Sequence, residues 1–136
     1  MLSITGLSKT YDNGVHALQG VDLSIGKGMF GLLGPNGAGK SSLMRTIATL
    51  QSADAGAITF DGIDVFKDPQ ALRQRLGYLP QDFGVYPRVS AYDLLDHMAV
   101  LKGIHNKGER KESVEGLLAH TNLYQHRSKA VSGFSG

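Results

Sequence analysis

The sequence contains no cysteine. Disulfide frameworks, zinc–thiolate sites and cysteine nucleophiles are therefore excluded. It contains no apolar run near the ~18 residues of a membrane helix. The opening Met1-Leu2-Ser3-Ile4-Thr5 lacks the basic and apolar regions of a signal peptide, so a soluble, cytosolic chain is expected. Neither sign of charge dominates: 14 Lys and Arg stand against 12 Asp and Glu, a net charge of +2. That is too mild for an electrostatic nucleic-acid binder. The five His residues form no close i, i+4 pair, which argues against a metal site. The one residue type in excess is glycine, 18 of 136 residues, close to twice the usual ~7%. Some part of the chain needs backbone free of side chains.

Two strand-like stretches precede residue 27, with Ile4, Leu7 and Tyr11, then Leu18, Val21, Leu23 and Ile25. Asp12-Asn13-Gly14 separates them as a turn. Met29-Phe30-Gly31-Leu32-Leu33 is nearly unbroken apolar sequence and predicts a strand buried on both faces, as in a parallel sheet. A glycine-rich loop follows at 34–39, then a helix over Ser41–Leu50 carrying Leu43, Met44, Ile47 and Leu50 on one face. Ile58-Thr59-Phe60 and Ile63–Phe66 flank Asp61-Gly62 and predict a hairpin. Asp68-Pro69 opens a short helix expected to stop near Gly77, and Tyr78–Gln81 reads as a short strand. Ser90 and Asp93 form a capping pattern for a helix with Leu94, Met98 and Leu101 in a stripe ending at Gly103. Val114, Leu117, Leu118 and Thr121 predict a last helix, weakened by Gly116. The order is that of an α/β chain with a β-rich start and a helical tail.

Gly34-Pro35-Asn36-Gly37-Ala38-Gly39-Lys40-Ser41 fits G-x-x-x-x-G-K-[ST], the phosphate-binding loop. At this composition about 0.02 chance matches are expected by multiplying frequencies, and the strand-then-helix context is the one the motif requires. Glycines let the backbone turn its N–H groups onto a phosphate, and the helix that follows aims its unpaired N–H groups and positive dipole end at the anion. Lys40 is expected to reach the β- and γ-phosphates, and the Ser41 hydroxyl to ligate Mg²⁺.

Other phosphate-loop classes lack their markers. A GTPase needs D-x-x-G, which is absent, and N-K-x-D, approached only by Asn106-Lys107-Gly108-Glu109. Asp82-Phe83-Gly84 spells a protein-kinase motif, but no H-R-D loop accompanies it. Five stretches, in order, resemble the ATP-binding subunits of ABC transporters. They are Ser8-Lys9-Thr10-Tyr11 (the A-loop), Ala17–Leu23, Gly31–Leu43 (Walker A), Gly77-Tyr78-Leu79-Pro80-Gln81 (the Q-loop) and Ser132–Gly136 (the start of the signature motif).

The resemblance implies a phosphate-loop NTPase fold of the ABC type. It would comprise an antiparallel β part and a partial parallel core over 1–81, and the start of a helical subdomain over 82–136. It implies ATP and Mg²⁺ as ligands. Tyr11 would stack on adenine, with Val15 or His16 beside it. Asn36, Gly37, Ala38, Gly39, Lys40 and Ser41 would wrap the phosphates, and Ser42 would touch the α-phosphate. Gln81 would contact Mg²⁺ or the attacking water. Ser135 and Gly136 would reach the γ-phosphate of a second nucleotide-binding subunit in a head-to-tail dimer. Phe134 stands where the family usually has Leu.

ATP hydrolysis would then drive transport through a membrane permease, placing the protein on the cytoplasmic face of the membrane. Tyr86–Ser90 and Ala99–Gly103 look most like export-type subunits. Alternatives within the same resemblance are an ABC-type ATPase of DNA repair or translation, and a non-catalytic nucleotide-binding remnant. The sequence holds no Walker B strand, catalytic Glu or switch His. Ala57–Asp61 is too interrupted to substitute, since Thr59 breaks the apolar run and Gly62 makes a turn. The chain is accordingly expected to be the N-terminal portion of a longer ATPase, inactive by itself.

Overall fold

The computed structural model describes residues 1–35, 37, 39–79 and 88–134. The chain divides into two compact units, Met1–Tyr78 and Leu79–Gly136. The boundary expected between residues 81 and 82 lies outside the described residues.

The first unit is built on a four-stranded antiparallel sheet. Strands β1 (Leu2–Thr10) and β2 (His16–Ile25) form a long hairpin, with Leu2 opposite Ile25 and Thr10 opposite His16. The expected turn closes it. Gly14 lies at φ 84°, its N–H donates to the Tyr11 carbonyl at 2.8 Å, and the Asn13 side chain accepts from Val15 N–H at 3.1 Å. Strand β3 (Ala55–Phe60) pairs with the other edge of β1, and β4 (Ile63–Asp64) pairs with β3. The order is β2-β1-β3-β4. Asp61 and Gly62 join β3 to β4 with φ of 46° and 82°, the two positive angles of a type I′ hairpin turn. The hairpin read from Asp-Gly is therefore present.

Helix α1 (Lys40–Ile47) lays Leu43 and Thr46 on the sheet. It shares one apolar core with Ile4, Leu7, Leu18, Ile58, Val65 and Leu72. Leu72 comes from helix α2 (Pro69–Arg73), where Asp68 caps the Ala71 N–H at 3.2 Å and Pro69 takes the first position, as the sequence suggested. Strand β1 is central in the sheet, and Ile4 and Leu7 are its buried residues.

One expectation fails here. Met29–Leu33, read as a doubly buried core strand, is not a strand, and Met29 and Leu33 stand 104% and 94% exposed. Every described ladder is antiparallel, so the expected parallel core is not formed among the described residues. An apolar run records a preference for burial and for extended backbone. It becomes a strand only when a neighbouring edge satisfies its N–H and C=O groups, and no described strand pairs with it. Tyr78 and Leu79 are likewise outside any strand, and Pro80 and Gln81 lie outside the described residues.

In the second unit, helices α3 (Ala91–Leu101) and α4 (Lys107–His120) pack through Ala91, Val114 and Leu118, with Tyr92, Leu95 and Leu123 around them. Ser90 caps α3 by accepting from Asp93 N–H at 3.1 Å, as expected. Asn106 caps α4 in the same way through Glu109 N–H at 3.1 Å, a start that the apolar pattern did not mark. Arg110 Nε donates to Asp96 Oδ1 at 2.9 Å and Arg110 Nη1 to the His105 carbonyl at 2.8 Å. The expected stripe of α3 is not its packed face, because Met98 and Leu101 are exposed while Ala91 and Leu95 pack. Apolar residues surround this helix, so their spacing does not select a side. No helix among the described residues is long and apolar enough to cross a membrane.

Gly56 tests the sheet. Its φ is 101°, and a Cβ there would sit 2.6 Å from both the Gly6 oxygen and Leu7 Cα of β1. Gly56→Ala combines a strained backbone angle with overpacking against backbone. It is expected to lower stability by about 2–4 kcal/mol, read as a lower denaturation midpoint at unchanged denaturant slope.

Candidate nucleotide-binding site

The loop 34–39 delivers the chain into α1. Gly37 and Gly39 take φ of 87° and 89°, the left-handed region that only glycine enters without strain. Gly39 is constrained twice over, since a Cβ there would lie 2.4 Å from the Ala17 carbonyl oxygen of β2. The helix it precedes has no side-chain cap and no acidic residue in its first turn. The first N–H groups of a helix have no intrahelical acceptor, and here neither a cap nor a negative charge competes for them. This arrangement accepts an anion.

Lys40 Nζ donates to the Gly34 carbonyl and so spans the loop it ends. Ser41 is exposed at the start of α1, whereas Ser42 is buried. Ser41 can offer one oxygen to a cation. No cluster of three His, Cys, Asp or Glu exists among the described residues to complete a metal shell; a phosphate and water can supply further oxygens.

Tyr11, just beyond β1, is half-buried. Its hydroxyl lies 2.6 Å from Ser42 Oγ and 3.1 Å from Gln51 Oε1. Lys9 Nζ sits 5.9 Å from the centre of its ring. The Ser42 hydroxyl donates to the phenol oxygen and holds the Tyr11 pKa below its ordinary value of 10.0; partial burial opposes this and the nearby Arg45 charge adds to it. The residues expected beside Tyr11 are otherwise engaged or open. His16 Nδ1 pairs with Thr10 Oγ1 at 2.9 Å, and Val15 is exposed.

Of the expected site residues, the structure thus gathers Tyr11, Gly37, Gly39, Lys40, Ser41 and Ser42 around one end of α1. Asn36, Ala38, Gln81, Ser135 and Gly136 lie outside the described residues. Gln51 was missed. It belongs to no motif, and nothing in its sequence neighbourhood marks it.

Left-handed glycines, a reaching lysine and an uncapped helix start define a phosphate-loop α/β protein. Comparison with known proteins narrows the class. Residues 18–136 match the family described as ABC transporter, and the chain belongs to that family.

It is 36% identical over 140 residues to the ABC transporter ATP-binding protein NatA of Bacillus subtilis, covering 99% of this chain and 56% of NatA. It is 42% identical over 120 residues to the sn-glycerol-3-phosphate import ATP-binding protein UgpC of Vibrio cholerae, covering 88% of this chain and 31% of that protein. The linearmycin resistance ATP-binding protein LnrL of B. subtilis matches at 33% over 100% of this chain and 43% of its own length. Among solved structures, an ATP-binding subunit of an ABC transporter superposes with a TM-score of 0.82 at 27% identity, over 99% of this chain and 56% of the other. The dimeric post-hydrolysis state of the ATP-binding cassette MJ0796, bound to ADP and Pi, superposes with a TM-score of 0.83 at 24% identity, over 99% and 63%. The chain thus spans about half the length of the curated relatives it matches.

Removing the Ser42 hydroxyl removes the donor that favours the Tyr11 phenolate. Ser42→Ala is therefore expected to raise the Tyr11 pKa toward 10.0, followed as phenolate absorbance in an alkaline titration that compares Ser42→Ala and Tyr11→Phe with the parent.

Proposed function

We propose that this chain is the nucleotide-binding part of an ATPase that drives transport across a membrane. The carrying observation is the loop ending in Gly39, which opens an uncapped helix with Lys40 across its mouth. In this reading Asn36, Gly37, Ala38, Gly39, Lys40 and Ser41 cradle the phosphates, Ser42 meets the α-phosphate, and Tyr11 offers its ring to adenine. Ser41 and Gln81 would hold Mg²⁺, which would supply charge neutralisation at the phosphates.

Lys40 exchanges its acceptor on binding. Its ammonium leaves the Gly34 carbonyl for phosphate oxygens, trading a neutral acceptor for a charged one in a stronger hydrogen bond.

The wider assembly rests on the family. ATP closes two such subunits head to tail, with Ser135 and Gly136 reaching the partner's γ-phosphate, and a membrane permease turns the closure into transport. The protein would sit on the cytoplasmic face of the membrane through that permease. Export as the direction is supported by the whole-length match to a resistance protein and by Tyr86–Ser90 and Ala99–Gly103, although an import protein also matches, over 88% of the chain. Among the described residues no strand ends in an acidic pair that would add a metal carboxylate and a base, which leaves positioning to support catalysis.

Mg-ATP at one hundred times its dissociation constant is expected to stabilise the chain by about 2.7 kcal/mol, seen as a concentration-dependent rise in melting temperature. Lys40→Ala should abolish the rise, and a rise that survives it would overturn the cradle. The 136-residue chain alone should show almost no steady hydrolysis. Sustained phosphate release that depends on Lys40 would overturn this expectation.

A further inference from the structure

Four side chains beneath the loop form a hydrogen-bond circuit with only one consistent direction. Tyr11 has a single hydroxyl proton and two oxygen neighbours. Gln51 Oε1, at 3.1 Å, can only accept, so the Tyr11 O–H points to it. The short contact to Ser42 Oγ, at 2.6 Å, must then be a donation from Ser42 to Tyr11. Gln51 Nε2 spends its two protons on the Ser42 carbonyl at 3.1 Å and Thr46 Oγ1 at 3.0 Å. Thr46, fully buried, closes the circuit by donating its own hydroxyl to the Ser42 carbonyl at 2.7 Å. Flipping the Gln51 amide would set its oxygen 3.1 Å from the Ser42 carbonyl oxygen, two acceptors with no proton between them. The orientation is therefore determined by its partners. Among the described residues no buried side-chain nitrogen or oxygen lacks a partner.

From this circuit we infer that Gln51 is a positioning residue for base recognition, locking the Tyr11 ring to α1 so that the base platform and the phosphate cradle form one rigid unit. The inference rests on the reading of Tyr11 as the platform for adenine.

Tyr11 follows the last residue of β1 and begins the hairpin turn, with Asp12–Val15 exposed beyond it. The turn supplies no core to hold the ring. The hydroxyl is its tie to α1, and Gln51 supplies the acceptor that gives the tie its direction. A ring that merely stacks needs no hydroxyl, because phenylalanine presents the same face. A ring that must be held over the α-phosphate end of the cradle needs one. Ser42 links the two halves, since it is the residue expected to meet the α-phosphate. When a phosphate oxygen claims the Ser42 proton, the Tyr11 O–H keeps its donation to Gln51 Oε1, and the ring stays anchored through Gln51.

The test measures binding to the full chain by calorimetry with two probes, Mg-ATP and Mg-tripolyphosphate, the second having phosphates and no base. Tyr11→Ala tests the platform and should weaken ATP about tenfold or more while leaving tripolyphosphate unchanged. Gln51→Leu and Tyr11→Phe test the lock. Each should weaken ATP about three- to tenfold with tripolyphosphate unchanged, and the double variant should lose no more than either alone.

If Tyr11→Ala weakens ATP while Gln51→Leu and Tyr11→Phe bind like the parent, the platform stands and the lock is overturned. If Gln51→Leu weakens both probes equally, Gln51 acts on the cradle and the lock is again overturned. If Tyr11→Ala changes neither probe, the platform reading falls and takes the inference with it.

Discussion

Helix α1 starts where it does because residue 39 carries no side chain. The backbone at Gly39 runs so close to the Ala17 carbonyl of β2 that a single methyl group would overlap it, and its φ of 89° would strain any other residue. This one approach sets the height of α1 on the sheet. Leu43 then falls into the core with Leu18 and Leu7, and Ser42 and Thr46 turn toward Tyr11 and Gln51. Lys40 and Ser41 are left at the open end, where the first N–H groups of the helix have no cap. The anion-accepting geometry is thus a consequence of how tightly helix and sheet pack at one glycine.

The polar circuit beneath the loop is the second consequence. Hydroxyls and an amide placed between a helix and a hairpin turn cost free energy unless each is satisfied, about 1–3 kcal/mol for each group left unpaired. Here every proton has one acceptor and the directions agree. Such a circuit specifies geometry more sharply than apolar contacts do, because a rotamer change at any member breaks more than one bond. It also joins two parts of the site that come from opposite sides of the loop, Tyr11 from the β hairpin and Ser42 from α1.

The exposed run at Met29–Leu33 belongs to the same picture. Met29 and Leu33, 104% and 94% exposed, each hold about 1.5–3 kcal/mol of burial free energy that the described structure does not realise. The antiparallel sheet satisfies its own ladders without them. The chain spans about half of the relatives it matches, and the fold it shares with the solved cassettes is likewise shared over part of their length.

Local chemistry was legible in the sequence wherever one residue type answers one local demand. Gly14 and Asp61-Gly62 made turns because their backbone tolerates positive φ. Asp68-Pro69 and Ser90 started helices because their side chains or ring suit the first turn. The glycines before Lys40-Ser41 announced a phosphate loop because no other residue makes that bend. Tertiary structure decided what depends on a partner distant in sequence. Met29–Leu33 read as a strand and is none, since a strand exists only by pairing. Helix α3 packs on Ala91 and Leu95 and not on its regular stripe, since a helix apolar on several sides takes whichever face its neighbour meets. Gln51 carries no signal of its own. Its role arises only where Tyr11, Ser42 and Thr46, brought together by the fold, leave one direction open for each proton.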